Sequence, residues 1–306
     1  MPSPALPSGT QFELTRGDQR AVVVEVGGGV RRYEVGDREV LHPYDRDAMC
    51  DGAHGAPLIP WPNRLADGRY SFDGNDYQVA LTEPEKHNAI HGFLRWRSWQ
   101  ASEQSGDQVV MTTTLYPLTG YLFALHVDIE YALSDAGLTV RTTTTNVGDA
   151  AAPYACGQHP YLSPGSGILD PCTLRLDAAT RIDTDDERQL PTGTEPVEGT
   201  AYDFRKPREI GDLAIDYAFK DLTRDGDGRA WARLTGTDGR TCGLWVDESY
   251  PYLEIYTADT LSEQRRRTGL GCEPMTGPPN ALGSGTDVVR LDPGQTHVTT
   301  WGACLL

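Results

Sequence analysis

Four short stretches combine proton-transfer or hydrogen-bonding groups with residues that stiffen the backbone. Trp61-Pro-Asn63-Arg64 sets a guanidinium beside an aromatic ring and a proline. His91-Gly92-Phe93 and Gln158-His159-Pro160-Tyr161 each place an imidazole against a backbone-shaping residue and an aromatic. Gly271-Cys272-Glu273 offers one carboxylate ahead of a turn rich in proline and glycine that ends at Asn280. Aromatic rings among directional polar groups suit a carbohydrate pocket, because sugar C–H faces stack on rings while hydroxyls take hydrogen bonds. A carboxylate and an imidazole flanking a sugar can remove one proton and deliver another. Each residue also has a plainer reading. His159 could cap a strand, His91 could be satisfied in a core, Arg64 could serve a surface ion pair and Glu273 a solvated loop.

Other stretches resemble functional motifs and fail on their chemistry. His87-Asn-Ala-Ile-His91 has the paired histidines of a zinc-protease helix, but Asn88 stands where the general base belongs and no third ligand is near. No metal site and no cofactor are expected. Asp225-Gly-Asp-Gly228 begins like a calcium loop without its spacing or closing glutamate, and reads as a hairpin turn between Phe219 and Trp231. Gly27-Gly-Gly29 is followed by no helix that could cradle a phosphate. Neither a nucleophile elbow nor a Walker sequence occurs.

The elements that must position these groups are strands. In 125–133 every odd position is apolar, and His126, Asp128, Glu130 and Ala132 fill the even ones. Such alternation puts one face of a strand in a core. Residues 138–145 follow a Ser134-Asp-Ala-Gly137 turn, which predicts an antiparallel hairpin. Similar runs occur at 21–26, 109–116, 174–177, 242–246, 252–257 and 297–301, while convincing helical periodicity is nearly absent. Many short strands without helical crossovers predict an all-β protein, a large antiparallel β-sandwich. No repeat or low-complexity linker divides residues 1–306, so a single domain is expected. Residues 1–10 read as a frayed arm and the polar stretch 183–195 as a surface excursion.

Composition narrows the partners. The chain has 306 residues, with 27 Lys+Arg against 44 Asp+Glu and a formal net charge of −17. Such an acidic excess disfavours nucleic acid and anionic membranes, both of which need clustered cations. No run approaches the roughly 20 apolar residues of a membrane span, and the proline-rich start has no basic-then-apolar leader pattern. The six cysteines are widely spaced, which suits reduced, buried thiols. A cytoplasmic protein is the expectation, a monomer or weak homodimer with a small-molecule partner.

Taken in order, the residues resemble a known family. Asn63-Arg64, Asp67-Gly68-Arg69-Tyr70, Asp73-Gly74 and Tyr77 are followed by Asn88-Ala-Ile-His91-Gly92, then by His159-Pro160-Tyr161-Leu162. Leu190-Pro-Thr-Gly193, Asp203-Phe-Arg205, Ile215-Asp216-Tyr217 and Leu253-Glu-Ile-Tyr-Thr257 come next, and Glu273 and a terminal strand close the series. This pattern is similar to the aldose 1-epimerase (galactose mutarotase) family. The resemblance implies a β-supersandwich in which Glu273 is the general base and His159 the general acid addressing the ring oxygen. It further implies His91, Arg64 and Asp216 as sugar ligands, with Asn63 and Tyr161 in support. Interconverting anomers needs only proton transfers at O1 and the ring oxygen, so no cofactor is implied. Gln158 ahead of His159 and the Pro278-Pro279-Asn280-Ala281 sequence after Glu273 depart from galactose mutarotases proper and look more like a bacterial side branch.

Two other functions fit less well. A hexose-6-phosphate mutarotase needs cations converging on phosphate, for which Arg265-Arg266-Arg267 can be nominated, although adjacent arginines usually sit in a solvated loop. A catalytically silent sugar-binding protein would not need both Glu273 and His159. Neutral sugars are therefore expected to outrun phosphorylated ones.

Overall fold

Strands with alternating burial pair here into long antiparallel ladders. The computed structural model describes residues 5–165 and 167–306. Two large sheets dominate the described residues, one of 12 strands and one of nine. The larger runs from Gln11–Arg16 by way of Arg38–Leu41, Tyr161–Leu162, Leu270–Met275, Tyr252–Tyr256 and Asp216–Leu222 to Pro191–Pro196. The second is centred on Leu125–Ser134, Gly137–Asn146 and Thr296–Leu305. The only α-helix among the described residues is the four-residue Ala281–Ser284. The protein is an antiparallel all-β sandwich, as its period-two runs predict.

The core lies between the sheets. Leu125, Val127, Ile129 and Tyr131 from the second sheet are fully buried in one cluster with Leu14, Val23 and Tyr33 from the first. Fully burying an aliphatic side chain of this kind contributes about 1.5–3 kcal/mol, which is why alternation specifies the register. The predicted hairpin forms, with Ser134 paired to Gly137 and Leu125 to Asn146. The six cysteines are free thiols. No described helix is long and apolar enough to cross a membrane.

Two connections differ from the sequence expectation. Asp216–Leu222 and Ala230–Thr235 belong to different sheets, so the Asp225–Gly228 turn passes the chain between layers and is no hairpin. Its acid is a local cap: Asp225 accepts the backbone N–H groups of Asp227 and Arg229 and the indole N–H of Trp231. The polar stretch near 183–195 forms a hairpin of Ala178–Thr184 with Pro191–Pro196, whose turn reaches back toward the site described below. Residues 1–4 of the expected arm lie outside the described residues. Ser8 is buried, and its carbonyl accepts the Val26 N–H at 3.0 Å.

Candidate active site

Adjacent strands of the larger sheet bring the acids together. Glu273 sits inside Leu270–Met275, a strand with all six residues buried, and pairs in register with Glu254 on Tyr252–Tyr256. Asp216 begins the next strand and pairs with Tyr256. On the other side, Tyr161 pairs with Gly271, which sets His159 close to Glu273. The His159 backbone is fixed at both ends, its N–H donating to the Ala56 carbonyl at 3.1 Å and its carbonyl accepting the Gly55 N–H at 2.8 Å. Its ring stacks on Tyr161, with centroids 4.9 Å apart and planes 16° off parallel.

The cationic wall comes from the loops around Asn63 and His91. Both residues have positive φ, 52° and 63°, and each backbone N–H bonds the other residue. The Asn63 N–H donates to His91 Nδ1 at 3.1 Å, and the His91 N–H donates to the Asn63 carbonyl at 3.0 Å. The next position must be glycine. A Cβ on Gly92 (φ +60°) would lie 2.0 Å from the Ile59 carbonyl oxygen. Arg64 presents its fork to Glu83, with Nε and Nη2 donating to the two carboxylate oxygens at 2.9 and 3.2 Å. Asn280, beyond the glutamate strand, locks the Arg64 strand by accepting the Ala66 N–H at 3.0 Å and donating its own N–H to the Arg64 carbonyl at 2.7 Å.

His159 and Glu273 are in direct contact, Nε2 to Oε1 at 3.0 Å, and only 4% and 3% exposed. Burial pushes the Glu273 carboxyl well above its usual range, and the Asp216 carboxylate adds to this while Arg64 opposes it. Burial likewise pulls His159 down to about 3. Both shifts favour the uncharged forms of the two groups, a neutral imidazole and a protonated carboxyl. A neighbouring carboxylate would by its charge raise the protonated fraction of His159. Desolvation wins instead, because the imidazole lies inside the protein. Burial also raises Asp216, with Arg64 and a hydrogen bond from Gln189 opposing. His91 is held far below its usual value by burial and by the neighbouring His159 and arginines.

The seven residues that the resemblance implies, Asn63, Arg64, His91, His159, Tyr161, Asp216 and Glu273, line one cleft of about 170 Å³. The structure adds groups the sequence reading passed over. Glu254 is buried, with Oε2 unpartnered among the described residues. Burial and the Asp216 and Glu273 carboxylates drive it well above the usual range. Its signal was an acid inside the apolar run 252–256. Glu83 and Gln189 anchor Arg64 and Asp216 from distant segments and had no local signal. Arg95 also lines the cleft. The nominated basic cluster does not. Arg265 bonds the Pro43 carbonyl and His54, and Arg267 is buried against Asp170 and Asp259.

His91, His159 and Glu273 bring possible ligand atoms within 4.8 Å of one another. His91 Nδ1 accepts the Asn63 N–H, so the ring proton sits on Nε2 and His91 has no free lone pair for a metal. It is a hydrogen-bond donor toward the cleft. The arrangement fits a sugar: a stacked aromatic floor, an imidazole donor, a guanidinium, clustered carboxyls and one proton-sharing pair.

Known proteins match this chain in sequence and in fold. The family sequence model described as Aldose 1-epimerase matches residues 10–301. An Escherichia coli (strain K12) protein, "Uncharacterized protein YihR", is 33% identical over 95% of this chain and 91% of its own length. The galactose mutarotase of Sus scrofa is 28% identical over 84% of this chain and 80% of its own. The crystal structure of the GalM/aldose epimerase homologue from C. elegans superposes with a TM-score of 0.86 at 18% identity, covering 97% of this chain and 98% of that one. With a family match over nearly its whole length, the same sandwich and a sugar-suited cleft, this chain belongs to the aldose 1-epimerase family.

Proposed function

We propose that the protein interconverts the α and β anomers of an aldose by ring opening and reclosure. The observation that carries this reading is the 3.0 Å contact between His159 and Glu273 at the floor of the cleft. The resting pair, carboxyl and neutral imidazole, becomes carboxylate and imidazolium by moving one proton along that contact, without exchange with solvent. Glu273 then takes the O1 proton while His159 delivers its proton to the ring oxygen. The C1–O bond of the ring breaks and the free aldehyde forms. Rotation about C1–C2 presents the other carbonyl face, and the two groups reverse their roles on closure. Arg64, Asp216 and the His91 Nε2–H hold hydroxyls, and Tyr161 keeps the His159 ring in plane. A silent binding protein would have no use for both members of the pair.

The direct test is an NMR exchange assay of anomerisation over a panel of neutral and acidic aldoses. Rates above the spontaneous background are expected for at least one class. Background rates throughout would remove the enzymatic reading.

The pH dependence follows from the shared proton. The pair is competent while it holds one proton, and a second must enter a buried imidazole whose pKa is pulled down to about 3. The acid limb of kcat/KM should therefore lie well below the ordinary imidazole value of about 6.5. The basic limb marks loss of the sole proton, above the ordinary carboxylate range because burial raises Glu273. An acid limb centred near the ordinary imidazole value would contradict this account.

A further inference from the structure

Among the described residues, Arg95 is the one arginine or acidic side chain lining the cleft that the ring-opening chemistry leaves without a task. It belongs to a short turn, Leu94–Trp96, pinned by the buried Leu94 and by the Trp99 indole N–H donating to the Leu94 carbonyl at 3.2 Å. Its guanidinium carbon lies 5.0 Å from the Trp96 ring centroid. Among the described residues it makes no ion pair, and its buried Nε finds no acceptor. The contrast with Arg64 is sharp, since that guanidinium is paired through Nε and Nη2 with Glu83 and keeps its remaining N–H groups for the cleft. A chain with 44 acidic residues nevertheless provides no carboxylate for a half-buried cation facing its sugar cleft. Leaving such a group unpaired costs free energy, and burial pulls its pKa below the usual arginine value. The backbone N–H groups of Gly52 and Ala53, also at the cleft wall, meet no acceptor among the described residues.

The polarity of the cleft is divided. Asp216, Glu254 and Glu273 come from three adjacent strands, whereas the charge of Arg95 is felt by His91 and His159. In the reading above His159 faces the ring oxygen, and the carbon on the far side of that oxygen bears the exocyclic C6. A negative group at C6 would thus meet Arg95 and avoid the carboxyls.

We propose that Arg95 recognises an anionic substituent, and that the preferred substrates are aldoses with a carboxylate, sulfonate or phosphate at C6. The selection rests on the mutarotase reading and reverses the expectation that neutral sugars outrun phosphorylated ones, which considered only the Arg265–Arg267 cluster outside the cleft. A guanidinium matches such oxyanions with paired N–H donors, as ammonium groups do not.

The test compares glucose with glucuronate, glucose 6-phosphate and 6-deoxy-6-sulfoglucose, by exchange NMR for kcat/KM and by calorimetric titration for binding. One anionic sugar should exceed glucose in kcat/KM by about 10–100-fold, the size of a charge-assisted hydrogen-bonded pair. Which of the three leads identifies the oxyanion. In a folded Arg95→Gln variant the ratio of anionic to neutral sugar should collapse toward one, and Arg95→Lys should keep part of it. Glucose matching or outrunning all three anions in the parent would overturn the inference while leaving ring opening intact. An Arg95→Gln variant that loses both sugars equally would also overturn it. If nothing turns over but an anionic sugar binds more tightly through Arg95, the subsite stands and the mutarotase reading falls. If neither turnover nor Arg95-dependent binding appears, both fall.

Discussion

Glu273→Gln should lower the catalytic constant for anomerisation by about 10²–10⁴-fold, the usual contribution of a positioned acid–base group. At about 1.4 kcal/mol per decade this corresponds to roughly 3–5 kcal/mol of barrier. The amide keeps the size of the side chain and can still meet His159, but it cannot exchange a proton along the 3.0 Å contact. Sugar binding, which the proposed function rests mainly on Arg64, Asp216 and the aromatics, should change much less. His159→Asn should produce a loss of the same order, because the two groups hold one proton between them. For that reason the double variant should lose far less than the product of the single losses. Thermal melts must first show that each variant is folded. A folded Glu273→Gln protein with near-parent turnover would discard the pair mechanism and shift attention to Asp216 and Glu254.

Arg64→Ala should be the most damaging single change at the cleft wall, reducing stability as well as function. The guanidinium and Glu83 are 11% and 14% exposed and joined by two hydrogen bonds. Burial alone would raise Glu83, but the bonds from Arg64 outweigh it and hold the carboxyl below its usual value. Removing the arginine leaves a largely buried carboxylate with only Lys86 at 3.7 Å and the Asn88 amide. Breaking one half of such a pair costs about 3–5 kcal/mol. Urea unfolding should show this loss, and an Arg64→Ala/Glu83→Ala double variant should recover much of it. Because the folded-state pKa of Glu83 is depressed, the pair's contribution is present above the unfolded carboxyl value and disappears as pH falls through the folded one. The gap between parent and Arg64→Ala should narrow in acid. Turnover and sugar affinity should fall together, since Arg64 also opposes the upward shifts of Asp216, Glu254 and Glu273. A loss below about 1 kcal/mol, with additive single and double variants, would show the pair to be an ordinary surface bridge.

Alternation is a local property, and it was enough to read the sandwich. Residues 125–133 and 138–145 carry their register in their own side-chain order, because a one-residue slip would turn Leu125, Val127, Ile129 and Tyr131 outward. The candidate residues Arg64, His91, His159 and Glu273 stand beside prolines, glycines and aromatics that mark shaped backbone, while the roles expected of them, and Asp216 itself, came from the family resemblance. Other features have no local signature. Leu270–Met275 is buried along its whole length, so it shows no alternation, and Pro274 hides it further. Glu83 and Gln189 reach Arg64 and Asp216 across 19 and 27 positions of chain, and no spacing rule links them. The protonation of the His159–Glu273 pair was also beyond reach of the sequence. Residue type supplies the ordinary pKa values, but desolvation depends on what surrounds the groups once two sheets have closed over them. Arg95 is the same case in reverse. In the sequence it is one arginine among many, and only the folded cleft leaves it facing a sugar site with no carboxylate beside it.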